Sequence, residues 1–437
     1  MASDNEDRRS LPLLGDLLAF RADRLAFLTR LARTQGDVAT FRIGPYRAWQ
    51  LTDPAHVHGV LVTHADRFRK GPVLQRARIV LGEGLLTSEG GTHRADRRVL
   101  QPAFHPTRVD GYAEVMATRA HTAARRWVSG EPFDLHAETV RITLATAGAT
   151  LLGTEVEGDV ATVEQAIDDL LSAYKLAFVP FGWHLQRLPL GPPRRLRRGR
   201  AALHGLVDRA VADRRATGHD AGDLLSMLAL DSGWSDAKIR EHALTLLLAG
   251  HETTANALAF AFHLLATHPE VEAQVHAEVD EVVAEEPVSA SAVDRLPTCR
   301  AVMAESLRLY PPSWAMARQA THDHHVDGQV IRTGELAVLP QWVVHRDPRW
   351  WPDPERCVVD RWSDGEQQRR PRWSYFPFGA GVRRCIGEGF AWTEGVLALA
   401  TIARQWRLAP MASRPLRLEP LITLRPRDGI WFVPQRR

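Results

Sequence analysis

Apolar positions recur at helical spacing through the middle of the chain, at about 111–128, 137–153, 161–178, 200–216, 236–267 and 268–284. These stretches predict helices, as do a pattern at about 22–34 and a last one at about 388–405. Strand patterns are shorter. Residues 37–52 alternate around Gly44-Pro45, which predicts a hairpin, and 318–340 alternates around Asp327-Gly328. A terminal hairpin is expected near 416–433. Between 340 and 386, Trp, Pro, Arg and Asp crowd together and an irregular course is expected. The fold class predicted is mainly α with small β-sheets. Gly and Pro are spread along the chain and no repeat is found, so the reading is a charged, disordered head at 1–10 and a single domain at 11–437.

Composition narrows the class. With 437 residues, 45% hydrophobic and 24% charged, the chain has enough apolar material for a sizeable core and too little bias for a disordered or fibrous protein. The net charge of +3 gives no reason to expect nucleic acid. Only Lys70, Lys175 and Lys238 are lysines, so 52 of the 55 basic residues are arginine, a skew that reads as codon bias in a GC-rich genome. Three cysteines, Cys299, Cys357 and Cys385, cannot build a disulfide framework and fit a reducing compartment. The first nine residues carry five charges and lack the apolar core of a signal peptide. No run of 18 apolar residues exists, so no membrane anchor is expected. The expectation is a soluble, cytoplasmic protein.

Two clusters tempt a functional reading. His322-Asp323-His324-His325 looks metal-like, but strand neighbours beside an Asp-Gly turn point to opposite faces and cannot converge on one ion. Arg194-Arg195-Leu196-Arg197-Arg198-Gly199-Arg200 could suggest a nucleic-acid or membrane patch; following Gly191-Pro192-Pro193 and opening a helix, it reads better as a solvated helix face.

The most specific stretch runs from Phe376 to Ala391. Its glycines and proline leave a loop able to approach a flat partner closely. Cys385 stands just before a helix and beside Arg383 and Arg384, surroundings that favour a thiolate. The plain alternative is a structural cysteine next to a turn; it suits Cys299 and Cys357 and leaves the glycine–arginine spacing around Cys385 unexplained. Upstream, Ala249-Gly250-His251-Glu252-Thr253-Thr254 interrupts a long helical pattern with poor helix-interior residues. A helix locally opened by a turn at Gly250, with hydroxyl and carboxylate near a cavity, is the physical expectation; the plain alternative is an ordinary buried helix with tolerated polar residues. Glu305 and Arg308 form an i,i+3 pair, by itself worth a few tenths of a kcal/mol on a surface.

Residues 378–387 fit F-x-x-G-x-R-x-C-x-G and resemble the haem-binding loop of the cytochrome P450 family, with Phe378, Gly381 and Arg383 at matching positions. The resemblance implies the P450 fold with a buried haem, and Cys385 as axial ligand of the iron. Ala249–Thr254 resembles the family's A-G-x-[D/E]-T-T helix motif. Gly250 would then leave room for haem and O2, and Glu252 and Thr253 would support proton delivery; His251 takes a variable position and is given no role. Glu305-Ser306-Leu307-Arg308 matches the ExxR motif, and Pro354-Glu355-Arg356 resembles the segment whose arginine completes a buried triad, although Cys357 stands where the family has Phe. His93 and Arg97 resemble the H-x-x-x-R pair on a haem propionate, with a metal-binding histidine as the weaker alternative. Arg318 and Arg383 are the remaining propionate partners implied.

So read, the chain is a haem-thiolate monooxygenase inserting one atom of O2 into an apolar small molecule. The cofactor implied is haem b, with O2 as co-substrate. The chain runs only 46 residues past Ala391, so NAD(P)H electrons are expected indirectly, from a ferredoxin and a ferredoxin reductase, to a monomer. Alternatives are a haem-thiolate enzyme using peroxide or rearranging its substrate, and a non-catalytic haem-binding protein. The resemblance places substrate contacts at Val73, Leu74, Ile79 and Leu85 in a loop at 71–87, and at Phe178 within 174–183. It adds Ala249, Trp314, Ala315, Met316, Leu421 and Ile422. Their apolar character favours a terpenoid over a fatty acid or polyketide, with Arg76, Arg78 and Lys175 the cations a fatty acid would use.

Overall fold

The computed structural model describes residues 15–153, 163, 165, 166, 169, 191–283 and 287–437. The chain divides into two compact units, each discontinuous in sequence. The first runs to Gly71 and then takes in Ser313–Arg356 and Gln368–Arg384; the second takes in Pro72–Pro312, Cys357–Gln367 and Cys385–Arg437. Because the chain passes between them several times, no stretch of linker composition marks a boundary.

The first unit is built on a five-stranded sheet. Its strands are β1 (Val38–Ile43), β2 (Tyr46–Leu51), β3 (Phe68–Lys70) and β4 (Met316–Ala320), with the hairpin β5 (His324–Val326) and β6 (Gln329–Ile331) lying outside it, and then β7 (Leu336–Leu339). The sheet order is β1-β2-β7-β4-β3, antiparallel except for the β2–β7 pair. The Asp327-Gly328 turn closes the β5–β6 hairpin, with Asp327 itself at φ 43. Trp49, Leu51, Phe68, Ile331, Ala337, Leu339 and Phe376 form the core. Burial along β5 alternates: His324 is inward, its ring edge-on to Phe68, while His325 faces out. The strand period thus separates the two histidines.

The second unit is a helical bundle. Its principal helices are α1 (Gly90–Leu100), α2 (Leu135–Leu151), α3 (Asp236–Thr267), α4 (Pro297–Leu309) and α5 (Glu388–Gln405). Ser235 caps α3 by accepting from Lys238 N–H, and Asp134 caps α2 by accepting from His136 N–H. α3 packs against α2, α4 and α5. The arginine run opens the helix Pro192–Thr217, with Arg194, Arg195, Arg197 and Arg198 exposed. No helix among the described residues is long and apolar enough to cross a membrane.

Three expectations are corrected. The stretch expected as a loop at 71–87 contains a helix, Pro72–Leu81, started by Pro at its first position and ended at Gly82, φ +70. The terminal hairpin is confined to Leu418–Pro420 and Leu424–Pro426; the last strand, Trp431–Arg436, pairs with Trp406–Pro410 and with Phe133–Asp134. Partners so distant in sequence leave no local periodic signal. The helix Asp236–Thr267 is continuous through Gly250, with no opened turn. Of the helix expected at 161–178 only residues 163, 165, 166 and 169 are described, all four helical; Phe178 lies outside the described residues.

Candidate functional site

The cysteine loop is held in shape before it reaches the cysteine. In the first unit, Phe376 N–H donates to His345 Nε2 at 3.0 Å, and Gln341 donates to Phe376 O. Gly379 and Gly381 both have positive φ, +68 and +64. A Cβ at Gly381 would stand 2.2 Å from Leu61 O, so neither the backbone nor the space admits another residue. Gly381 is thus a packing requirement of the first unit. Phe378 and Arg383 are half-buried there, and Arg318 is buried on β4.

Cys385 opens the last segment of the second unit, three residues before α5 begins. Its side chain is exposed, while Cys299 and Cys357 are buried. Burial, with Glu278 beside it, pushes the Cys299 thiol well up; burial and the Glu305 carboxylate push Cys357 up to about 12. Both are committed to the neutral thiol in the core. Cys385 is therefore the cysteine able to offer sulfur to a ligand.

Burial along α3 breaks at one place. Ala249 is exposed, and Gly250, Glu252 and Thr253 are half-buried, in a helix buried almost throughout its middle. A Cβ added at Gly250 would meet nothing within 4 Å, so there is open space beside the helix at that point. The threonine hydroxyls bond back along the helix, Thr253 Oγ1 to Ala249 O at 2.7 Å and Thr254 Oγ1 to Gly250 O at 3.1 Å. The threonine hydroxyls are thus satisfied within a helix that remains continuous, and the expected opening is not seen. Glu252 turns the other way, and its Oε1 accepts from Thr423 Oγ1 at 2.7 Å. His251 is buried, with Nδ1 2.8 Å from Leu247 O, while its own carbonyl accepts from Thr143 Oγ1. Burial lowers its pKa, so it is a neutral core histidine. Sequence reasoning missed Thr423 and Thr143, since neither belongs to a motif.

The ExxR pair is buried rather than superficial. Arg308 donates to Glu305 through Nε at 2.7 Å and Nη2 at 2.8 Å, and both side chains are fully buried. Glu305 also accepts from Val358 N–H at 2.9 Å and from Trp362 Nε1 at 3.0 Å. The third charged member is Arg361, buried with Nε 3.9 Å from Glu305. Arg356 is exposed, which corrects the expectation that it completes the buried triad. A signal was present: an aromatic residue, Trp362, directly follows Arg361, whereas Cys357 follows Arg356.

His93 is buried on α1 and Arg97, one turn on, is half-buried. Between them in sequence, buried Asp96 faces Lys238 Nζ at 2.6 Å and His242 Nε2 at 3.3 Å. Among the substrate candidates, Val73 is exposed, Leu74, Leu421 and Ile422 are half-buried and Leu85 is buried. For Ile79 only the backbone, within the helix Pro72–Leu81, is described. Trp314 is buried, its ring 6.5 Å from Phe20, which also meets Phe27 and Phe41. Ala315 and Met316 are half-buried beside it.

These features fit a haem. A thiol stands exposed at the start of α5, and the middle of α3 carries a glycine with empty space above it. Both belong to the second unit.

A sequence profile described as Cytochrome P450 matches residues 7–431. The chain is 38% identical to cyclooctat-9-en-7-ol 5-monooxygenase of Streptomyces melanosporofaciens, over 93% of this chain and 90% of that protein. It is 34% identical to pentalenene oxygenase of Streptomyces avermitilis, over 91% and 90% of the two chains. Among solved structures, the haem domain of cytochrome P450DA superposes with a TM-score of 0.87 at 28% identity, covering 96% of this chain and 95% of that one.

Proposed function

Because this chain belongs to the cytochrome P450 family, a family of oxidoreductases with named monooxygenases among its relatives here, we propose that it inserts one atom of O2 into a terpenoid-like small molecule. Family membership implies haem iron and O2, and the bound haem would supply the activation of dioxygen. The observation that carries the reading is the contrast among the cysteines: Cys385 alone of the three is exposed, at the start of a helix, within the family's loop.

The remaining roles fall to this chain's own side chains. Cys385 would donate thiolate sulfur to the iron. His93, Arg97, Arg318 and Arg383 would hold the propionates through charge-assisted bonds. Gly250 leaves space above α3, and Phe378 and Gly381 shape the loop before the cysteine. Thr253 has its hydrogen committed to Ala249 O, so it offers lone pairs to whatever proton donor occupies the open space beside Gly250. The Glu252 carboxylate would take up and pass on the proton to be delivered. The intact acid–threonine pair supports use of O2 over peroxide.

The substrate is read from two sources. The relatives' names denote an alkene and an alkenol. Ala249, Leu74, Leu85, Leu421 and Ile422 offer apolar contacts, and Arg78, a cation a fatty acid would need, is committed to Thr87 O at 3.0 and 3.2 Å. Electrons would come from a ferredoxin and its reductase, and exposed Arg384 suits an acidic partner.

The test is spectral and catalytic. The reduced, CO-treated protein should show the thiolate-type band, and pentalenene should shift the spin state where palmitate does not. Product should form with NADPH, ferredoxin and ferredoxin reductase. A shift with palmitate alone would overturn the terpenoid reading, and absence of the thiolate band would overturn the haem assignment.

A further inference from the structure

The turn between the strands Leu418–Pro420 and Leu424–Pro426 is three residues long, Leu421-Ile422-Thr423. Its outer sides are fastened. Leu421 N–H donates to Thr423 O at 3.0 Å, Leu424 N–H donates to Pro312 O at 2.9 Å, and Arg425 pairs with Glu419 at 2.8 Å. Leu421 and Ile422 are half-buried apolar side chains, while Thr423 is buried. The Thr423 hydroxyl has one hydrogen, and it goes to Glu252 at 2.7 Å. A short bond from a hydroxyl to a carboxylate is of the stronger, charge-assisted kind.

Adjacent residues on a regular helix point about 100° apart. Since α3 is continuous, Glu252 and Thr253 diverge, and the bond to Thr423 fixes which way the carboxylate goes. One three-residue turn therefore carries both apolar contacts and the hydrogen bond that holds the acid.

We propose that Thr423 is a positioning residue that ties the Glu252 carboxylate to the turn Leu421–Thr423, so that a substrate seated on Leu421 and Ile422 biases where that carboxylate points. The proposal rests on the functional reading above for its biological meaning, but the tie itself is a property of the two side chains. Because coupling between two sites is reciprocal, a change at either end must be felt at the other. The hydroxyl holds the carboxylate, and the carboxylate holds the turn.

The experiment uses the haem-loaded full chain without substrate. Thr423→Val removes the donor at nearly constant volume, Thr423→Ser keeps it, and Glu252→Gln removes the charge. Infrared difference spectra between parent and Glu252→Gln identify the Glu252 carboxylate band. Hydrogen exchange reads the Leu421 and Leu424 amides. Thr423→Val should shift the band, and Glu252→Gln should speed exchange at both amides at least about fivefold, the scale of turning a charge-assisted hydrogen bond into a neutral one. Thr423→Ser should restore the band. With pentalenene as probe, Thr423→Val should raise H2O2 released per NADPH several-fold. An unshifted band in Thr423→Val, or a Thr423→Ser variant that behaves like it, would overturn the tie. Failure of pentalenene to yield product in the parent would instead count against the substrate reading, leaving the band and exchange results to decide the tie.

Discussion

Glu305 and Arg308, one turn apart on α4, form a fully buried ion pair closed by bonds of 2.7 and 2.8 Å. Buried charge is tolerable only when its remaining lone pairs are met, and Val358 N–H and Trp362 Nε1 do this for Glu305. Removing one partner leaves the other uncompensated. Glu305→Ala should therefore lower stability by about 3–5 kcal/mol, read as a fall in urea midpoint. Arg361→Met should cost about 1–3 kcal/mol and exposed Arg356→Met no more than about 0.5 kcal/mol. Equal losses at 356 and 361 would contradict the assignment of Arg361.

Cys385→Ser should abolish the thiolate-type CO spectrum, because a serine oxygen does not replace the sulfur donor. Cys299→Ser and Cys357→Ser should keep that spectrum while lowering stability, since each puts a hydroxyl into a buried thiol's place. Loss of the spectrum at 357 with retention at 385 would move the haem ligand.

Much of the fold is legible in sequence because its signals are local. The helix Asp236–Thr267 shows its period over 32 residues and its cap at Ser235, and both bounds agree with the pattern at 236–267. The cysteine loop is legible because its glycines answer a steric demand that no other residue meets. What is not legible depends on long-range pairing. Trp406–Pro410 becomes a strand only against Trp431–Arg436, and Thr423 matters only because the fold brings it to Glu252, 171 positions away. The opening expected at Gly250 rests on local terms, the glycine cost and threonine back-bonding; the back-bonds are present, yet a helix packed along most of its length stays continuous. Arg356 stands out over Arg361 in sequence because the Pro-Glu-Arg spelling outweighs the aromatic that follows Arg361.

Stability should fall on the acid side through His242. This side chain is fully buried and its pKa is pushed down to about 4 by burial, against the opposing pull of Asp96 and with Lys238 adding to the fall. An unfolded histidine titrates near 6.5. Between these values the unfolded chain binds the proton more readily, so the contribution is fully present above pH 6.5 and is lost as pH falls towards about 4. The loss is on the order of 3 kcal/mol at most. The urea midpoint of the parent should drop over that window, and His242→Gln, which cannot titrate, should drop less. Equal slopes in the two proteins would remove His242 from the account.

Thr253 and Glu252 make separable predictions because α3 is continuous. Thr253 gives its hydrogen to Ala249 O and keeps its lone pairs for another donor. Thr253→Ala removes that acceptor without disturbing Cys385, so the CO spectrum and any substrate-induced spectral shift should persist. A proton donor beside Gly250 would lose its orientation, and reducing equivalents should leak to H2O2. Positioned proton transfer is typically worth about 10²–10⁴-fold in rate, so product per NADPH should fall by roughly tenfold or more. Thr253→Ser, which keeps the hydroxyl, should restore most of the coupling. Glu252→Gln should slow turnover and enlarge the solvent isotope effect, while keeping the hydroxyl of Thr253 in place. The measurement is product formed and H2O2 released per NADPH consumed, with ferredoxin and ferredoxin reductase supplied. If Thr253→Ala stays fully coupled at the parent rate, the hydroxyl serves only its bond to Ala249 O and takes no part in proton delivery.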